Sequence, residues 1–285
     1  LSLNPRALET RMILRQKNRN QKRSDARRRR ANKPLFPVAV ERSYRAFLMR
    51  RVRLAKELLS DQLRPLFDQF SKQINEKSRS DQSDSDRFMN AVIAVERGFK
   101  RRQIPNQSAI RGQAKSVDRF ATNQQQKQID MFVSPERVAR VGVSMRTPAT
   151  AIRAAWIKEN VDLIKSIDDR YFSDVRSIVR EGFEEGLPTK RIRQLLESRY
   201  QVSRSRAQLI ARDQIAKLNG QITKKRQEDA GVFRYRWSTV GDERVRATHQ
   251  ANNGKVFLWS DPPPITGHPG NDFQCRCVAE PILDD

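Results

Sequence analysis

Two histidines and two cysteines are all that a chain of 285 residues contains, and all four (His249, His268, Cys275 and Cys277) fall in its last 37 positions. These are the side chains that bind zinc. A tetrahedral Cys2His2 centre needs four such donors at about 2.0–2.3 Å from one ion, and the two segments that carry them are joined by turns that could bring them together. The C-x-C spacing is less usual than C-x2-C, because two same-face positions of one strand must both reach the ion. A structural zinc would explain how a small C-terminal unit stays folded. Two other readings stay open. The cysteines could be ordinary buried thiols with the histidines hydrogen-bonded nearby, or they could close a strained disulfide across one residue.

The same region admits an enzymatic reading. His249, Asn252, Asn253, His268 and Asp272 could hold a divalent metal that activates water against a phosphodiester, although their spacing matches no nuclease signature. The chain has no Gly-rich phosphate loop, no G-x-S-x-G and no paired carboxylates in an apolar setting, which disfavours a nucleotide-driven motor. Asp242, Arg244 and Arg246, just before His249, suit helix capping and local ion pairs.

Charge is the strongest global signal: 57 Lys and Arg against 33 Asp and Glu give a net +24 and a pI near 10.9. Such a chain calls for an acidic partner. Nucleic acid is the first expectation, because basic side chains laid on phosphates gain affinity by releasing counterions. The excess is densest in residues 1–34, where twelve basic residues face Glu9 and Asp25. With almost nothing to bury, this segment reads as a disordered basic arm, and Arg23, Arg27, Arg28, Arg29 and Arg30 are its DNA-binding candidates; a nuclear-targeting run is the plainer alternative. No apolar stretch is long enough for a membrane span, and the first thirty residues lack the apolar core of a secretory signal. Leu1 stands where a starting Met would, so N-terminal sequence is expected to have been removed or left out. Neither a membrane nor a small-molecule substrate is expected as a partner.

Hydrophobic periodicity predicts the elements that must position these residues. From about residue 38, Tyr44, Phe47, Leu48, Val52, Ala55, Leu58 and Leu59 follow one helix face. Leu63, Leu66, Phe67, Phe70 and Ile74 continue in a second, weaker helix with Pro65 near its start. Residues 75–87 are apolar-free and read as a linker; the Gln-rich stretch that follows the next short helix makes a poor independent core. A long helix carrying Trp156, Leu163, Ile164, Ile167, Tyr171, Val175, Ile178, Val179 and Phe183 on one face is expected from Thr147 or Thr150 to Gly186-Leu187-Pro188. Two further helices then follow, with Thr189 and Ser203 as N-caps. After Gly231 the period changes to two: Phe233, Tyr235 and Trp237 alternate with Arg234, Arg236 and Ser238 in a strand, Asn253-Gly254 signals a hairpin turn before "KVFLW", and "CRCVAEPIL" reads as the last strand.

The expected fold is therefore mainly α in its N-terminal and central regions, with a disordered basic arm and a small α+β C-terminal domain. Its divisions are the arm at 1–34, a helical, partly extended region at 35–145 with a linker near 75–87, a long helix and helical hairpin at 146–202, and the α+β domain at 203–285.

Read together, "RDQIAKLNGQITKKRQEDAGVFRYRWSTVGDERVRATHQANNGKVF" and "PPPITGHPGNDFQCRC" resemble the phage Mu F-like minor head protein, or head morphogenesis, family, most clearly over about residues 205–281 and with the helices from about 150 included. Trp237, Asp242, Arg244, His249, Gly254, His268, Cys275 and Cys277 carry the likeness. Relatives often have a C-x2-C pair in the D-x-R-V segment, where this chain has Arg246 and His249. The resemblance implies a non-enzymatic minor capsid protein. It would lie inside the virion head near the portal, be assembled in host cytoplasm, and associate with the portal or major capsid protein and with packaged DNA. A metal-dependent nuclease or other DNA-processing enzyme, or a plain nucleic-acid-binding protein, is the alternative.

Overall fold

A computed structural model describes residues 35–74, 82–130 and 149–282. The basic arm, with Arg23 and Arg27 to Arg30, lies outside the described residues, as do most of the expected linker and the segment 131–148.

The first helix, α1 (Val38–Ile74), is one element where two were expected. Leu59, Leu63, Phe67 and Phe70 are all buried at steps of three and four residues, so the apolar stripe runs through Pro65 unbroken. Packing along that stripe outweighs the roughly 3 kcal/mol cost of an interior proline. The next helix, α2 (Gln82–Arg102), starts inside the expected linker and runs past Gly98. In α3 (Gln107–Asp130) the first turn is capped by Asn106, whose Oδ1 accepts the Ala109 N–H at 3.1 Å. Here the Gln-rich stretch proves to be interior. Gln125 and Gln128 are buried, and Gln125 Oε1 accepts a hydrogen bond from Gln227 at 2.9 Å. Paired amides can be buried at little net cost, which periodicity of apolar residues does not reveal.

The long helix α4 (Thr150–Glu184) buries Trp156, Ile164, Ile167, Tyr171, Val175, Val179 and Phe183 as expected, while Leu163 and Ile178, at the edges of that face, are only half-buried. It ends in a Schellman motif in which Gly186 takes φ +64° and Leu187 N–H returns to Gly182 O. The helix that follows, α5 (Thr189–Asp229), spans both helices expected after Pro188. Ser203 is not a cap but a buried mid-helix residue, and Pro188 rather than Thr189 precedes the first turn. No Gly or Pro interrupts residues 189–219, and small buried side chains at Ser203, Ala207 and Ala211 let neighbouring helices close on α5 there. Gly231, at φ +73°, ends it with a second Schellman motif.

These helices enclose two apolar cores. One joins α1, α3, α4 and α5 around Tyr44, Leu48, Ile110, Trp156 and Ile215; the other joins α1, α2, α4 and the start of α5 around Phe67, Phe88, Phe172 and Ile192. Polar groups tie the first together: Tyr44 OH donates to Asn160 Oδ1 at 2.7 Å, and Asn160 Nδ2 donates to Trp156 O and Gln214 Oε1. Arg226, 3% exposed at its side chain, pairs with Asp118 at 2.8 Å, and Asp118 also pairs with Arg153 at 2.7 Å.

The C-terminal unit is an antiparallel sheet in the order β2-β1-β3, built from β1 (Arg234–Ser238), β2 (Val256–Leu258) and β3 (Val278–Ile282), with the short helix α6 (Ala247–Asn252) between β1 and β2. Tyr235 and Trp237 are fully buried, but Phe233 lies outside the strand and is 64% exposed. The mainly α body with a small α+β unit is thus as expected. The C-terminal unit docks on α5 by backbone. A Cβ on Gly220 would lie 2.4 Å from Pro269 O, and one on Gly270, at φ +92°, would lie 2.6 Å from Ala216 O.

Candidate functional site

Three of the four soft donors meet in front of the sheet. Helix α6 buries His249, and the segment entering β3 buries both cysteines, which are free thiols. His249 Nδ1 lies 3.6 Å from Cys275 Sγ and 3.4 Å from Cys277 Sγ, and the three donor atoms all lie within 4.8 Å of one another. The two cysteines precede the strand rather than belonging to it, so the alternation of a strand does not govern where they point. Trp237 packs edge-on against the His249 ring, with centroids 5.6 Å apart.

The tautomer of His249 follows from its partners. Its Nε2 is 2.8 Å from Asp272 Oδ2, and a carboxylate accepts, so Nε2 carries the proton and Nδ1 turns a bare lone pair to the sulfurs. Asp272 is held in turn by Arg246 Nη1 at 2.6 Å. Burial pulls the Asp272 carboxyl up, but the His249 hydrogen bond, the Phe273 N–H and the Arg246 charge together leave it below its ordinary value. Among the five residues of the hydrolytic reading, His249 and Asp272 are brought together. Asn252 Nδ2 instead donates to Thr266, and Asn253 Oδ1 accepts from the Thr239 N–H.

The two thiols titrate unequally. The backbone N–H groups of Gly270 and Cys277 both point at Cys275 Sγ, each at 3.4 Å. Against the opposing effect of burial, the neighbouring Cys277 side chain and these N–H groups hold the Cys275 thiol below its ordinary value. Cys277 is pushed up, first by the Cys275 side chain and then by burial. The buried Trp237 indole N–H favours the Cys277 sulfur as an anion without completing a hydrogen bond.

His268 is placed apart from this group. Its Nε2 donates to Trp259 O at 3.1 Å, which leaves Nδ1 to accept the Tyr235 hydroxyl at 2.9 Å. Both ring nitrogens are thus used in the core of the C-terminal unit, where Tyr235 packs edge-on and Trp259 at a tilt against the ring. Burial, and then the nearby Lys224 ammonium, hold its pKa below the ordinary value.

The remaining motif residues fasten the loops. Asp242 binds Arg276 through both oxygens, at 2.6 and 2.8 Å, and so pins the residue between the cysteines; its Oδ1 also accepts the Arg244 N–H. Gly254, at φ +82°, donates its N–H to Trp237 O. Sequence reasoning missed Gln227, which is fully buried and joins three elements: Nε2 donates to Gln125 Oε1 and Ala279 O, and Oε1 accepts the Trp259 indole N–H. A glutamine in a basic, polar helix gives no signal of this. Gly220 was legible only as a glycine inside a strong helix pattern.

Residues 173–280, running from within α4 to β3 and holding every element of this site, match the family described as Phage Mu protein F like protein. This stretch is similar to the Mu F-like family. The match starts well before residue 205, so the Mu F-like region includes the end of α4 and all of α5. An uncharacterized protein of Haemophilus influenzae is 40% identical over 126 residues, which are 44% of this chain and 28% of that protein. The Mu-like prophage FluMu F protein of the same organism is 40% identical over 50 residues, 18% of this chain and 12% of its own. An uncharacterized protein of Methanocaldococcus jannaschii is 26% identical over 136 residues, 45% of this chain and 21% of its own. The chain therefore spans less than a third of the length of these relatives. No solved structure matches it.

Proposed function

We propose that the protein is a phage head morphogenesis protein, a minor capsid component without catalytic activity that is incorporated into the virion during head assembly. The observation that carries this reading is the Mu F-like match over residues 173–280, because it follows one continuous structural path through α5 and the sheet. Three features support it. The net charge of +24 suits an interior filled with DNA. Among the described residues, no helix is long and apolar enough to cross a membrane. The His, Asn and Asp residues of a hydrolytic reading are divided among separate hydrogen bonds, with only His249 and Asp272 paired.

In the finer form of the proposal the protein sits inside the head near the portal. Its C-terminal unit docks on the portal or major capsid protein, and the arm, with Arg23 and Arg27 to Arg30, lies on packaged DNA. Mass spectrometry of purified particles tests the assignment. The protein should be present at a few copies per particle, and disrupting its gene should yield defective heads. Particles that lack it and heads that assemble normally without it would overturn the reading. Plasmid nicking that needs Mg or Mn and disappears in His249→Ala would replace it with a nuclease.

A further inference from the structure

We propose that Cys275, Cys277 and His249 bind one zinc ion through both sulfurs and His249 Nδ1, and that the fourth coordination position takes an exchangeable oxygen donor from solvent. The inference does not depend on a role in phage heads.

The spacing of the donors is the first argument. With Zn–S at about 2.3 Å and Zn–N at about 2.0 Å, a tetrahedral angle separates S and N by about 3.5 Å. The two observed separations are 3.6 and 3.4 Å, so an ion fits with small side-chain adjustments. The surroundings of each donor give the second. Asp272 holds the His249 Nε2 proton, the carboxylate–histidine arrangement that fixes the tautomer and raises the basicity of a ligating imidazole. Backbone N–H groups from Gly270 and Cys277 are aimed at Cys275 Sγ, and the Trp237 indole N–H is buried beside Cys277 with no completed hydrogen bond. All three donors are better satisfied by metal-bound thiolates than by neutral thiols.

The open position follows from what lies above the ligands. Among the described residues no fourth His, Cys, Asp or Glu joins the group, since His268 is engaged by Tyr235 and Trp259 and Asp272 faces the far side of the imidazole. All three ligands instead line a cleft of about 250 Å³, together with Arg212, Arg244, Arg246 and Arg276. Asp272 and Asp242 hold Arg246 and Arg276 in place at 2.6 Å, and Glu41 lies 3.8 Å from Arg212. Three protein ligands with a solvent-reached fourth site is the arrangement of zinc centres that bind an exogenous group, and guanidinium groups around it favour water-derived hydroxide or inorganic phosphate there.

Cobalt(II) titration of the full-length chain, purified with chelator under reducing conditions, tests both parts. The expected result is one equivalent bound, with the near-ultraviolet band of thiolate-to-cobalt charge transfer and the intense visible bands of tetrahedral cobalt, all abolished by one equivalent of zinc. Cys277→Ser and His249→Ala should weaken binding at least tenfold, while His268→Gln should leave the spectrum unchanged. Inorganic phosphate should shift the visible bands of the wild-type complex. A folded wild-type chain with no charge-transfer band would overturn the site without recourse to any variant. A tetrahedral spectrum indifferent to phosphate would overturn the open position, and loss of the spectrum in a His268→Gln chain that stays folded by circular dichroism would overturn the ligand set.

Discussion

His268 and His249 share a tautomer and differ in everything else. In both, Nε2 carries the proton because its partner, Trp259 O or the Asp272 carboxylate, can only accept. At His268 the bare Nδ1 is taken by the Tyr235 hydroxyl; at His249 it faces two sulfurs. Protonating His268 would set two donors against each other inside the sheet's core, in line with its lowered pKa. The unfolded chain therefore takes up a proton more readily, so His268 contributes its stability above the ordinary value of 6.5 and loses it as the pH falls below that value. The melting temperature should fall between pH 7.5 and 5.5, and His268→Gln should be less stable at pH 7.5 with a flatter dependence across that window. A second residue-scale expectation concerns Asp118, which sits between Arg226 and Arg153. Asp118→Ala would remove the carboxylate nearest a guanidinium only 3% exposed while leaving it Thr122 and Asp229, at an expected cost of about 1–3 kcal/mol in urea denaturation. Residue types alone singled out His249, Cys275 and Cys277, but they could not separate His249 from His268. What distinguishes the two is which acceptor the fold places at Nε2 and what it leaves at Nδ1, and neither is written near either histidine.

At the scale of elements, helix faces were legible and helix ends were not. The stripe from Tyr44 to Phe70 is legible as apolar faces except at Leu58, which is exposed, yet the sequence divides it at Pro65, because proline's local cost is visible in a sequence and the burial that offsets it is not. Ser203 misled for the converse reason. A serine is a strong local cap, but this one is buried where α5 passes its neighbours. The polar stretch of α3 looked coreless because Gln125 has its partner in Gln227, 102 residues away. Gly220 gives this scale its prediction. In an exposed helix, Gly→Ala gains about 1 kcal/mol. Here the added Cβ would meet Pro269 O at 2.4 Å, a backbone atom that cannot rotate aside, so Gly220→Ala should instead cost about 1–3 kcal/mol. Chemical denaturation measures the sign directly.

Across the whole molecule, α5 is the common member. Its first turns enter the core around Phe172, its middle enters the core around Trp156, and its last third carries the sheet and the Cys–His group. A chain beginning at Ser203 would cut this helix in two and remove its anchorage. Such a fragment should show no cooperative thermal transition by circular dichroism, whereas the full chain should show one. The expected boundary between 202 and 203 thus falls inside a helix. The unbroken run of 41 residues also has a mechanical meaning. At 1.5 Å per residue it is a rod of about 60 Å, and tilting it by about five degrees at one end sweeps the other through about 5 Å. A neighbour gripping the Thr189 end would thereby move the sheet and its arginine-lined cleft by more than the length of a side-chain hydrogen bond, provided that the two apolar cores repack around the helix.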